Sequence, residues 1–374
     1  MSIPARPGPK LVQPAGYAAY CRQSGTVPAM RNPDGTAHPK RLRVALFGAG
    51  RIGAVHASNI AAHPGAELAW VADPYPGAAA ALADRYGATP ATSADQVFDD
   101  TSLDAVLVAS PTPTHLDLLY RAQAANLPAF CEKPLDLDLA AVHALAATLG
   151  ASPAPIMVGF NRRFDPSFAA IWDRVRNGEI GAVEQLIIIS RDPAPPPPAY
   201  VGGSGGIFRD CSIHDLDLAR WFIGSIVSVH ATGSNLFCDY IEQAGDFDSA
   251  TITACGAAGE AVTVVNSRRC AFGYDQRLEV FGSAGMLTAG NVTPTSVRRY
   301  GPGQTGAADG YLPFFLERYA AAYAAELDSF ITSVSTACPP SPSFADGLAA
   351  LVLADAAQRS AATGQTVYLP GPAA

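Results

Sequence analysis

Between residues 43 and 160 short apolar runs alternate with longer stretches whose apolar residues recur at helical spacing. The runs fall at 43–47, 67–72, 105–109, 129–131 and 156–159, and each ends in glycine or polar residues. Near-continuous apolar strands separated by helices are the mark of βαβ units, whose parallel sheet is covered on both faces. After about residue 180 the texture changes. β-branched runs at 183–190, 226–234, 250–255, 261–267, 277–281 and 286–289 follow one another with little helix between, which predicts a largely antiparallel sheet. Alanine-rich helical patterns at about 313–336 and 344–361 close the chain. The expected organisation is a Pro, Gly and Ala-rich arm over 1–40, an α/β domain with a doubly wound parallel sheet over 41–160, and an α+β domain with a large, mostly antiparallel sheet over 161–374.

The first strand, Arg43 to Phe47, runs into Gly48-Ala49-Gly50-Arg51-Ile52-Gly53, and Asp73 stands at the end of the second strand, twenty positions past Gly53. That order suits an adenine dinucleotide. Gly48 permits the tight turn, Gly50 lets the backbone approach a pyrophosphate, Gly53 lets the helix pack closely, and the helix N-terminus offers unpaired amides to the phosphates. A carboxylate at Asp73 accepts both ribose hydroxyls of NAD and repels a 2′-phosphate, so NAD is expected rather than NADP. The N-terminal unit therefore reads as a Rossmann domain. Ligands in such folds gather at the carboxyl ends of the strands. Arg51 and Ile52 in the turn, with Ser110, Thr112, His115, Glu132 and Lys133 beyond later strands, complete the expected cofactor surface, and Asn161-Arg162-Arg163 extends the rim.

Composition narrows the partners. The 374 residues are 49% hydrophobic and 16% charged, enough for two cores, and the formal net charge of −8 argues against nucleic acid or anionic membrane. Seven cysteines form no C-x-x-C pair and fit a reducing cytosol better than secretion. Prolines at positions 4, 7 and 9 interrupt any signal-peptide core, and no apolar run approaches a membrane span, so a cytoplasmic protein is expected. No metal is expected, because His, Cys and acidic residues show no zinc-ligand spacing.

Two places carry candidate chemistry. Asp210 and His214 stand four apart at the start of a predicted helix running to about Phe222, a spacing that puts both on one face. A neutral imidazole there can take a hydroxyl proton while a neighbouring carboxylate orients the ring and stabilises its cation. On spacing alone Asp210 reads rather as a helix cap and His214 as a packed histidine. Lys133, at the carboxyl end of a parallel strand before Pro134, would point an ammonium toward the nicotinamide and stabilise alkoxide charge. Read singly, it is a surface lysine. Before Asp210 a stiff run, Pro193 to Pro198, leads into Gly202-Gly203-Ser204-Gly205-Gly206, a segment able to rim a pocket.

Over about residues 42–368 the chain resembles the Gfo/Idh/MocA oxidoreductases, and within them the inositol 2-dehydrogenase-like branch. The likeness rests on Gly48–Gly53 with His56, on Glu132-Lys133-Pro134, on Gly159 to Asp165, on Ser204 through Asp217, and on Gly273-Tyr274-Asp275-Gln276-Arg277. It implies that Lys133 is the catalytic lysine, Asp210 the orienting aspartate and His214 the general base. It also implies that Asn161, Arg163, Asp165 and Tyr274 join these three in the substrate site. The alternative for Arg163 and Asp165 is a structural ion pair at the domain junction, and for Tyr274 a packed aromatic with its hydroxyl satisfied. The implied reaction is NAD-dependent oxidation of a secondary hydroxyl of a cyclic polyol, myo-inositol to its 2-keto form, in dimers or tetramers. A scyllo-inositol, hexose or anhydrosugar dehydrogenase and a catalytically silent NAD-binding regulator are the rivals; keeping Lys133, Asp210 and His214 together argues against the last. Two departures stand out: Asn161 where the family usually has Met, and a longer arm before residue 41.

Overall fold

The computed structural model describes residues 40–150 and 153–370, so all but the last residue of the expected N-terminal arm lies outside the described residues. Six strands, β1 (Leu42–Phe47), β2 (Ala66–Ala72), β3 (Thr89–Ala91), β4 (Ala105–Val108), β5 (Ala129–Glu132) and β6 (Ile156–Gly159), form an all-parallel sheet in the order 3-2-1-4-5-6. This is the doubly wound Rossmann order, with its switch point between β1 and β4. Both faces are covered. Val44 and Leu46 face a core shared with the Arg51–Ala62 and Ala320–Thr336 helices, while Ala45 and Phe47 face the core on the other side. The missed strand is β3, three residues of which two are exposed and which carry no apolar run.

The second sheet has seven strands in the order 12-11-7-10-9-8-15. They are β7 (Val183–Arg191), β8 (Ile226–Ser234), β9 (Ser249–Gly256), β10 (Ala261–Ser267), β11 (Asp275–Gly282), β12 (Gly285–Ala289) and β15 (Val367–Tyr368). All pairs are antiparallel except β10 with β7. Burial alternates along β9, β10 and β11, so one face is core and the other open. The core face packs under the Ile213–Ile223 and Phe344–Thr363 helices, the latter opened by a capping box between Ser343 and Asp346. A separate hairpin, β13 (Arg298–Gly301) and β14 (Gln304–Ala308), was not legible because its residues are mostly exposed and polar.

Two helical expectations are corrected. The helix read over 313–336 breaks at Tyr319 into Phe315–Arg318 and Ala320–Thr336, and the Tyr319 hydroxyl donates to Gln276 Oε1 at 2.9 Å. The helix expected to begin at Asp210 opens instead with a π turn, Phe208–Ser212, before the α-helix Ile213–Ile223. Widened turns of this kind re-aim side chains and concentrate at functional sites.

Candidate active site

The glycine turn is built as an anion cradle. Gly48 has φ +101°, and a Cβ there would lie 2.6 Å from the Ala109 carbonyl oxygen. A Cβ on Gly53 would lie 2.0 Å from the Gly48 carbonyl, so the helix can start this close to the strand only with glycine. A Cβ on Gly50 would meet nothing within 4 Å, which leaves the outer side of the turn open where a pyrophosphate approaches. No side chain caps the Arg51–Ala62 helix, and its first amides are available to phosphate. Half-buried Asp73 accepts from the amides of Ala49 and Tyr75, both at 2.9 Å, which pins its carboxylate beside the turn. These residues fit NAD.

The other expected cofactor residues divide. Arg51 is exposed, with its guanidinium 5.9 Å from the Phe314 ring centre, and Ile52 packs with the Tyr274, Tyr319 and Tyr323 cluster. Ser110 bonds Thr114 at 2.6 Å, and Thr112 opens the short 3-10 turn Thr112–Thr114 at the mouth of β4. His115 is buried, with Nδ1 2.8 Å from the Pro134 carbonyl and Nε2 2.8 Å from the Ser110 carbonyl, so it braces two loops. Glu132 turns away from the rim to meet buried His56, Oε1 to Nε2 at 2.7 Å.

Lys133 Nζ donates to the Asp210 backbone oxygen at 2.9 Å and to its Oδ1 at 3.3 Å. The Tyr200 hydroxyl donates to the same Oδ1 at 2.9 Å, and Arg268 Nη1 to Oδ2 at 3.2 Å. Arg268 is in turn held by Asp246, Nη2 to Oδ2 at 3.1 Å. The Lys133 and Arg268 charges overcome burial and hold the Asp210 carboxyl below its usual range. This corrects one expectation: Asp210 is bonded to Lys133, Tyr200 and Arg268 rather than to His214, because the π turn carries its carboxylate toward β5 and β10. His214 packs edge-on to Phe160, ring centres 6.0 Å apart, with Nδ1 buried and unpartnered. Burial, then the Lys133 and Arg162 cations, push its imidazole well below the usual histidine range, so it is neutral and able to accept a proton.

The remaining expected substrate residues are sorted by their partners. Arg163 forms a buried bidentate pair with Asp217, at 2.7 and 2.5 Å, and a further contact to Asp346 at 3.2 Å. Asp165 caps the Pro166–Arg176 helix through the amides of Ser167 and Phe168, both at 3.1 Å, and pairs with Arg318. Each is paired with a partner of its own rather than with the other. Asn161 is 3% exposed and, among the described residues, its amide is bonded to no other group. Tyr274 is buried edge-on to Tyr319, ring centres 6.0 Å apart, with burial and Tyr319 raising its phenol.

Sequence reasoning missed Tyr200, Arg268 and Asp192 here and gave Arg162 only a place on the rim. Arg162 lies under the site, bonded to Asp215 and, at 2.7 Å, to Ser190 Oγ, and Asn266 Nδ2 closes on Asp215 at 2.7 Å. Tyr200 and Arg268 come from the proline strap and the end of β10. Asp192, just past β7, takes the Cys211 thiol at 3.6 Å as its one side-chain partner among the described residues, and burial beside Asp210 pushes its carboxyl up to about 6. Its only sequence signal was a polar residue after a strand. The strap itself is pinned across the site by the Tyr240 hydroxyl on the Pro196 carbonyl at 2.8 Å.

A Rossmann sheet with this cradle and an ammonium, carboxylate and neutral imidazole beside it define an NAD-binding oxidoreductase. Residues 42–160 match the model of the oxidoreductase family with NAD-binding Rossmann fold, and residues 168–288 match the GFO/IDH/MocA C-terminal domain. An inositol 2-dehydrogenase of Rhizobium meliloti (strain 1021) is 45% identical over 334 residues, spanning 88% of this chain and 99% of that protein. A myo-inositol 2-dehydrogenase of Thermotoga maritima is 41% identical over 330 residues, spanning 88% and 98%. The crystal structure of a myo-inositol dehydrogenase from Corynebacterium glutamicum aligns with TM-score 0.86 and 53% identity, over 88% of this chain and 99% of that one. The chain belongs to the Gfo/Idh/MocA oxidoreductase family.

Proposed function

We propose that this protein oxidises a secondary hydroxyl of a cyclic polyol, myo-inositol to its 2-keto form, with NAD as acceptor. The observation that carries this reading is the meeting of Lys133 from β5 with Asp210 on the π turn, one helical turn from neutral His214. NAD, when bound, supplies the acceptor for the hydride leaving the carbinol carbon. His214 takes the hydroxyl proton as that hydride leaves. Lys133 hydrogen-bonds the same oxygen and stabilises its growing negative charge. Asp210 aims the ammonium, and Arg268 with Tyr200 holds Asp210. Burial, then the Lys133 and Arg162 charges, disfavour an imidazolium, so the proton does not rest at His214.

Asn161, Tyr274 and Asp192 supply polar groups for the remaining hydroxyls. We divide the chain as an NAD-binding domain over 41–160 and a substrate and assembly domain over 161–374, with the Ala320–Thr336 helix folded back on the first. The open face of the second sheet, where Phe281 and Met286 are exposed, is read as the surface joining subunits into a dimer or tetramer. Among the described residues no helix is long and apolar enough to cross a membrane, and we place the enzyme in the cytoplasm. A panel of inositol isomers, hexoses and anhydrosugars, followed for NADH formation, tests the reading. Highest kcat/KM with myo-inositol supports it; no NADH from any polyol or sugar would refute it.

A further inference from the structure

Behind Lys133, away from the cleft, two helices face each other across a buried polar seam. Helix Arg51–Ala62, whose N-terminus faces the phosphate cradle, brings His56 and, one turn on, Asn59. Helix Ala320–Thr336 packs against it and brings Tyr323 and, one turn on, Glu326. The His56 ring is held edge-on by Phe130 and Tyr323, with ring centres 5.1 and 5.8 Å away. Its Nε2 is bonded to Glu132, the residue before Lys133. Four other atoms in the seam are buried with no partner: His56 Nδ1, Asn59 Nδ2, and both carboxyl oxygens of fully buried Glu326.

Unpaired buried polar groups are costly, so such a set calls for a common explanation. The inventory closes if Glu326 carries a proton. With Nε2–H donated to Glu132, His56 Nδ1 is an acceptor that needs a donor, which a carboxylic acid supplies. The other Glu326 oxygen is then an acceptor for the Asn59 amide. These four atoms make no direct hydrogen bond to one another, so one internal water completes each link. Burial, then the charges of Glu132 and Asp217, push the Glu326 carboxyl well above the ordinary glutamate range, and Tyr323 feels both Glu132 and Glu326.

We propose that Glu326, His56 and Glu132 form a buried hydrogen-bonded relay, with a protonated Glu326 at its closed end, that positions Lys133. His56 and Glu326 are positioning residues; neither touches substrate. Because His56 rides on the helix that receives the cofactor phosphates, the relay joins cofactor binding mechanically to the placement of the lysine. The assignment rests on the proposed dehydrogenase reading only for the role of Lys133; the proton on Glu326 stands apart from it.

The test compares wild type, E326Q and E326L as full-length proteins. Infrared difference spectra at about pH 8 are expected to show a buried carboxylic acid C=O band in wild type that E326Q lacks. E326Q, which keeps a donor and an acceptor, is expected to retain kcat within about twofold, whereas E326L loses about tenfold or more in kcat with NAD affinity within about threefold. Absence of the acid band would overturn the proposal and leave a charged His56 between two carboxylates. Full kcat in E326L would overturn it equally. If E326L does not fold, the spectrum of E326Q against wild type still decides. If wild type oxidises no polyol, the function fails while the infrared band still judges the proton on Glu326.

Discussion

Lys133 and Asp210, seventy-seven residues apart, meet through two hydrogen bonds from one ammonium, at 2.9 Å to the backbone oxygen and 3.3 Å to the carboxylate. The contact ties the carboxyl end of β5 to the π turn. It also means that the lysine is aimed before substrate arrives.

Replacing Lys133 by Met or His214 by Gln is expected to lower kcat by about 10² to 10⁴, the usual worth of a positioned proton acceptor or alkoxide donor. NAD affinity should stay within several-fold, since neither residue belongs to the phosphate cradle. Initial rates and cofactor titration measure the two effects separately; full turnover in either variant would remove that residue from the mechanism.

Asp73→Ser should narrow the preference for NAD over NADP. The serine no longer repels a 2′-phosphate, and it loses one or both of the amide contacts that pin the carboxylate. The ratio of kcat/KM for the two cofactors is the readout, and an unchanged ratio would show that another group reads the ribose.

Asp192 makes a stability prediction with a definite sign. Its folded carboxyl is pushed up to about 6, above the ordinary aspartate value of about 3.9. Between those values the folded protein holds a proton that the unfolded chain has released, so this group makes stability fall as pH rises from about 4 to about 6 and stay lower above. D192N lacks this loss. Its Tm relative to wild type should climb over that interval and then level off; a difference independent of pH would contradict the assignment.

Arg163 should matter to folding rather than to binding. R163M leaves Asp217 buried with its bidentate partner gone, which costs about 3–5 kcal/mol for a pair of this kind. Urea unfolding measures that loss, and a second change, D217L, should recover part of it by removing the stranded charge. A large rise in substrate KM with undiminished stability would return Arg163 to the substrate site.

Much of this molecule was legible because the signals are local. Five of the six strands of the parallel sheet were readable as apolar runs, and Gly48 and Gly53 make the close turn that their spacing implied. What the residues could not show was who partners whom. Arg163 and Asp165 resemble substrate ligands in a motif, yet one is spent on Asp217 and the other on Arg318 and a helix N-terminus. His115 has the right position for a cofactor contact and is consumed by two carbonyls.

The amino-acid order alone determined the Rossmann half, the largely antiparallel second sheet and the cofactor, since strand periodicity and a glycine turn are written within a few neighbouring positions. Only the tertiary structure decided that Asp210 serves Lys133 instead of His214, that Tyr200 and Arg268 hold Asp210, and that Glu326 lies buried with both carboxyl oxygens unpartnered. Those outcomes depend on a single widened helical turn and on contacts between segments far apart in the chain, which no local pattern of side chains encodes.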